Sequence, residues 1–118
     1  YSIVVGNSGA GAADSGTVVL TDPIDGKTAL VVTGAPVAFI DGTPPSGLTF
    51  GFGGLADLTD DVDFSSDGGS TWNYIPVPDG NGTDPNVTHL RISPGGSLAA
   101  SSGAGNPGFE VRFKVRVR

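Results

Sequence analysis

Acid–base chemistry in this chain would depend on one histidine and a large set of aspartates. His89 is the sole imidazole, and eleven of the twelve acidic residues are Asp. Glycoside hydrolysis uses two carboxyl groups at a fixed separation across a cleft, but among eleven Asp residues some pair is inevitable, so the pattern singles out none. No serine lies in a Gly-x-Ser-x-Gly elbow, and there is no cysteine thiolate. We therefore expect no enzymatic activity, and we interpret His89 as a surface or pocket-edge residue on an alternating strand.

A second segment, from Ser65 to Trp72, matches a motif that is found in some glycosidases. Its letters, SSDGGSTW, match the Asp-box S-x-D-x-G-x-x-W of sialidase propellers. A propeller repeats such a unit many times, and this chain has one copy. The same residues suit a structural hairpin: Asp67 ties the turn, Gly69 supplies a positive φ and Trp72 packs beneath it. We predict a hairpin rather than a glycosidase site.

Two aspartate-rich stretches carry the oxygen ligands that calcium prefers. One contains four Asp between residues 57 and 63, and the other reads DGNGTD from Asp79 to Asp84. Neither has the closing glutamate of an EF-hand, and Asp, Asn and Gly are ordinary turn residues. Calcium at Asp79, Asn81 and Asp84 stays open as an alternative to plain turns, and no other cofactor is predicted.

The elements that must hold these side chains are strands. Short alternating runs of β-branched and aromatic residues are separated by Gly, Pro, Asn and Asp, and no window keeps a helical period. Two antiparallel sheets packed face to face would bury such half-apolar strands, with a closed barrel as the alternative. We predict one all-β domain over residues 1–118. Nine strands are expected, at residues 1–5, 16–20, 29–33, 36–40, 48–52, 62–65, 71–75, 87–92 and 109–117.

Charge is unevenly placed along the chain. Residues 1–108 contain eleven Asp and two basic residues, a net charge of −9, whereas residues 109–118 contain one Glu and four basic residues, a net charge of +3. The acidic bulk should repel nucleic acid and anionic lipid. No apolar run reaches the length of a membrane span, so membrane insertion is not expected either.

The predicted last strand, residues 109–117, alternates strictly. One face is apolar, and the other carries Glu110 and the four cations Arg112, Lys114, Arg116 and Arg118. The basic face is either a solvated surface that blocks edge-to-edge aggregation or a docking stripe for an acidic neighbour. The second interpretation includes another copy of this chain.

Several segments, taken in order, resemble a bacterial surface-repeat family known as "domain of unknown function eleven". They are YSIVVGNSG from Tyr1, VVLTDPI from Val18, VDFSSDGGSTW from Val62, PVPDG from Pro76, NVTHLR from Asn86 and FEVRFKVRV from Phe109. The resemblance implies an immunoglobulin-like antiparallel sandwich of about seven to nine strands, in an exported structural module. Family members usually have one more strand before the Tyr-x-Ile segment, so we expect that this strand is either trimmed or lacking.

These observations predict a non-catalytic extracellular or cell-surface module that associates with copies of itself or with tandem neighbours. Strand exchange or edge pairing would use Tyr1, Ile3 and Val5 as donor, and the strand over residues 109–117 as acceptor edge. The alternative is an adhesin that binds a surface glycan. Its sugar platforms would be the aromatic rings of Phe50, Phe52, Trp72 and Tyr74.

Overall fold

The computed structural model describes all residues from Tyr1 to Arg118, and its regular elements are all strands. Three of the eleven strands are only two residues long. The bounds are β1 Ser2–Gly6, β2 Leu20–Pro23, β3 Thr28–Val31, β4 Val37–Asp41, β5 Leu48–Thr49, β6 Val62–Ser65, β7 Thr83–Asp84, β8 His89–Ile92, β9 Gly95–Gly96, β10 Gly108–Phe113 and β11 Val115–Val117.

The strands form several small antiparallel sheets, an arrangement compatible with a β-sandwich. Three sheets have three strands each, in the orders β1-β10-β4, β11-β3-β7 and β2-β8-β6, and β5 pairs with β9. The prediction of an all-β fold is confirmed.

One apolar core lies between these sheets. It combines the inward faces of β10 and β4 with those of β8 and β6, and Leu30 of β3 joins them. Phe109 and Val111 of β10 are at most 2% exposed, and Leu90 of β8 is fully buried. Burial of a large apolar side chain contributes roughly 1.5–3 kcal/mol, so this cluster supplies most of the driving force for the fold. Its thirteen members are Leu30, Val32, Val37, Leu48, Val62, Phe64, Val87, Leu90, Ile92, Leu98, Phe109, Val111 and Phe113.

Two predicted strands are wrong. The strand expected at residues 16–20 instead occupies Leu20–Pro23, because β2 is an edge strand, where proline needs no ladder partner for its nitrogen. Residues 71–75 form no strand, and one backbone hydrogen bond, from Tyr74 N to Phe64 O at 3.2 Å, joins them to β6. Pro76 and Pro78 follow in the same segment and have no N–H to extend a ladder.

The predicted last strand is split at Lys114. Up to Phe113 the chain pairs with β1 and β4, and from Val115 it pairs with β3 in another sheet. The carbonyl of Lys114 already accepts from Val31 N at 2.9 Å. The apolar face is therefore buried along β10, whereas along β11 only Val115 packs against the core and Val117 is 79% exposed. Alternation in the sequence continues across the switch, so it could not reveal the change of sheet.

Candidate functional site

The predicted donor and acceptor of strand exchange are paired with each other inside this chain. β1 runs antiparallel to β10, with Ile3 opposite Val111 and Val5 opposite Phe109. Ile3 and Val5 pack against the core, and the ring of Tyr1 stacks on Phe113 with ring centroids 5.4 Å apart. Exchange of β1 would therefore require these contacts to break first.

The interpretation of the whole segment 109–117 as an acceptor edge is wrong for its first half. β10 lies between β1 and β4, so both of its edges are already paired. β11 is an edge strand, and its pairing with β3 uses the backbone groups of Arg116 and its alternate neighbours. The backbone groups of Val115 and Val117 consequently point to the open side. The free edge is thus the short strand β11.

The four predicted basic residues fall into two kinds. Arg112 is engaged, with its Nη2 2.9 Å from Glu110 Oε1, and Ser2 donates a further hydrogen bond to Glu110. The Arg112 guanidinium, followed by the Ser2 hydroxyl, holds the pKa of Glu110 below its ordinary value. Lys114, Arg116 and Arg118 have no carboxylate oxygen within 4.0 Å. Arg118 Nε donates to Thr28 O at 3.2 Å and Arg116 shares a groove with Asp79, so Lys114 is the cation available to an outside partner.

A groove of about 450 Å³ opens where β10 passes into β11. Its apolar lining comes from β3, β4 and the segment between them, and two cations stand at its side. We call this surface the basic groove, and its lining includes Val31, Pro36, Ala38, Arg112, Phe113 and Lys114. An anionic group attached to an apolar body would find both kinds of contact here.

Asp67 lies in a tight turn that follows β6, but the returning arm is irregular, so the predicted two-stranded hairpin does not form. Thr71 donates to both carboxylate oxygens of Asp67, from its N–H at 2.9 Å and its hydroxyl at 2.6 Å, and Ser65 Oγ donates at 2.7 Å. These bonds, with Thr71 first, lower the pKa of Asp67 to about 2. Gly68 and Gly69 have φ of 78° and 89°, which a glycine adopts without strain. The carboxylate acts as a turn device.

Trp72 leaves that turn and lies over the outer face of β8. The guanidinium of Arg91 is 4.7 Å from the centre of its ring, and the same guanidinium bonds Asp63 at 2.8 Å. The edge of Trp72 meets the ring of His89, whose Nδ1 is buried without a hydrogen-bond partner. His89 is therefore placed against an aromatic ring and not against a carboxylate.

The other aromatic platforms proposed for sugar binding face inward. Phe50 stacks on Phe39 with ring centroids 5.2 Å apart, and both Phe50 and Phe52 pack against the core. Tyr74 also packs there, and its hydroxyl donates to Asp84 at 2.7 Å. Burial, followed by that hydrogen bond, raises the pKa of Tyr74. These placements count against a row of exposed sugar-binding rings.

The calcium candidates bind their own loop. Asp79 Oδ1 accepts from Asn81 N at 2.8 Å and from Thr83 N at 3.0 Å, and these backbone bonds lower the pKa of Asp79. Asp84 is 2% exposed and accepts from Tyr74, from Val77 N and from Asn86 N. No group of three His, Cys, Asp or Glu side chains lies together in a way that could hold a metal. The oxygens are already used as turn acceptors.

An acidic loop that sequence reasoning noticed only as a run of aspartates has a definite shape. The acidic loop comprises residues 53–61, and Asp60 Oδ2 and Asp61 Oδ2 close its neck by accepting from Gly53 N and Gly51 N at 2.8 and 2.7 Å. At its tip Leu58 is 49% exposed. An apolar residue between aspartates was the signal that could have pointed to this loop.

Comparisons with protein-family models, with curated proteins and with solved structures gave no match. The resemblance to the surface-repeat family therefore rests on the ordered motifs alone. The structure contains no helix long and apolar enough to cross a membrane.

Proposed function

We propose that this chain is a non-catalytic structural module of the cell surface that associates with copies of itself. The observation that carries the proposal is the charge imbalance on its surface. Lys114, Arg116 and Arg118 form no ion pair within the chain, while residues 1–108 carry a net charge of −9. Complementary surfaces on one molecule favour contact between copies, because each copy offers both signs.

The proposal also includes that the module is exported and that its sheets have an immunoglobulin-like arrangement. The ordered motifs that resemble the surface-repeat family support an exported module and an immunoglobulin-like arrangement of the sheets. Association would use docked surfaces and the open edge of β11 rather than exchange of β1, because all five residues of β1 pair with β10 and its apolar side chains pack against the core of its own chain. The tethering of Asp67, Asp79 and Asp84 within their own turns supports a structural role for these carboxylates.

Sedimentation velocity over a series of protein concentrations tests the proposal. We expect species larger than the monomer that grow with concentration at about 0.01 M salt and diminish at about 1 M, because the screening length falls from about 30 Å to about 3 Å. Only monomer at every concentration in both salts would overturn the proposal.

A further inference from the structure

The basic groove differs in charge from the other grooves of the surface. Its lining contains two cations and no carboxylate. The groove beside Arg116 also contains Asp79, and the remaining two are lined by Asp41 with Glu110 and by Asp22 with Asp25. Since Arg112 is held by Glu110, the Lys114 ammonium is the uncompensated charge at the basic groove. This groove therefore selects an anionic occupant.

The acidic loop has the complementary composition. It contains three aspartates and no cation, and its exposed tip residue Leu58 lies directly beside Asp57. Asp57 accepts from the N–H and hydroxyl of Thr59 at 2.8 and 2.7 Å, which lowers the pKa of Asp57 and keeps it charged. The tip thus presents an apolar side chain flanked by negative charge on a loop whose neck is fixed by hydrogen bonds.

The two surfaces do not meet within one chain. Lys114 has no carboxylate oxygen within 4.0 Å, and the aspartates of the acidic loop form no ion pair. One chain therefore does not satisfy its own groove with its own loop.

We propose that the acidic loop of one copy docks in the basic groove of a second copy. Leu58 packs against Val31 and Ala38, the accessible part of the apolar lining, and the aspartates of the loop face Arg112 and Lys114. This inference rests on the proposed self-association and specifies its contact. Because the two surfaces differ, the contact is heterologous and repeats head to tail, which makes a filament. A single loop in a single groove buries a small area, so we expect the contact to be transient.

Two variants that each destroy one half of the contact test the inference. Lys114→Glu reverses the free charge of the groove and leaves the loop intact. Leu58→Ser removes the apolar side chain of the loop and leaves the groove intact. Each alone should associate about tenfold more weakly than wild type in sedimentation velocity. An equal mixture should recover a dimer that does not grow further, because one intact loop meets one intact groove. Lys27→Glu makes the same charge change outside the groove and should associate like wild type.

The outcomes separate this inference from the broader proposal. If wild type assembles and both single variants assemble as strongly, self-association stands and the loop-to-groove contact is wrong. If each variant is monomeric and the mixture stays monomeric, the two surfaces are not partners and the inference is also wrong. If wild type never assembles, both proposals fail. Unchanged urea midpoints for the variants would show that they are folded.

Discussion

The Asp-rich turns and the basic strands β10 and β11 use charge in opposite ways. Asp67, Asp79 and Asp84 each accept at least three hydrogen bonds from their own neighbourhood. Lys114 and Arg116 have no carboxylate within 4.0 Å. The acids of the turns therefore shape this molecule, whereas its free cations are the groups left to recognise something else.

The acidic loop stands between these two cases. Its carboxylates fix its neck, as in the other turns, but they also surround an exposed leucine. A carboxylate that accepts a backbone N–H keeps its negative charge, so one residue can tie a loop and present a charge to a partner. Variants should therefore divide into those that cost stability and those that cost association.

The largest expected effect on stability comes from Asp84→Ala. This residue is 2% exposed, and its removal leaves the Tyr74 hydroxyl and two backbone N–H groups without their acceptor. We expect the free energy of unfolding to fall by about 2–4 kcal/mol, measured by urea titration. Tyr74→Phe, which removes one of the three bonds, should cost about 1 kcal/mol. A change below about 0.5 kcal/mol for Asp84→Ala would show that the carboxylate does not hold this loop.

A smaller loss is expected for Asp67→Ala, and it should depend on pH. The pKa of Asp67 is lowered to about 2, so its contribution is fully present above its unfolded value near 3.8 and is lost as the pH falls through about 2. The urea midpoint of the variant should lie below that of wild type at pH 7, and the two should converge near pH 2. Asp14→Ala serves as control, because its side chain accepts no hydrogen bond within the chain. Equal urea midpoints of Asp67→Ala and wild type at pH 7 would show that the Asp67 carboxylate does not stabilise the fold.

The smallest stability effect belongs to Lys114→Glu. Its side chain makes no ion pair in the chain, so the free energy of unfolding should change by less than about 0.5 kcal/mol. A larger loss in urea titration would mean that Lys114 supports the fold, and the division between shaping acids and free cations would then fail.

The sequence predicted the strands whose residues alternate and whose apolar face is buried. β4 and β6 lie where expected, and so does the Asp67 turn, because local hydrogen bonds to Asp and positive φ at glycine leave a readable pattern. The division of residues 109–117 between two sheets left no such trace, since alternation looks the same in either sheet. The pairing of β1 with β10 within one chain depends on which strands become neighbours, and so does the basic groove. A single sequence does not encode these neighbours locally.

Site-directed cross-linking tests the head-to-tail contact most directly. Because the chain has no native cysteine, the introduced cysteines are the only thiols that can form a disulfide. Ala56→Cys places a thiol on the acidic loop and keeps Leu58, and Ala35→Cys places one at the lining of the basic groove. Under mild oxidation we predict that an equal mixture of the two variants gives far more disulfide-linked dimer than either variant alone. Equal yields from the mixture and from each variant alone would contradict the contact of loop and groove.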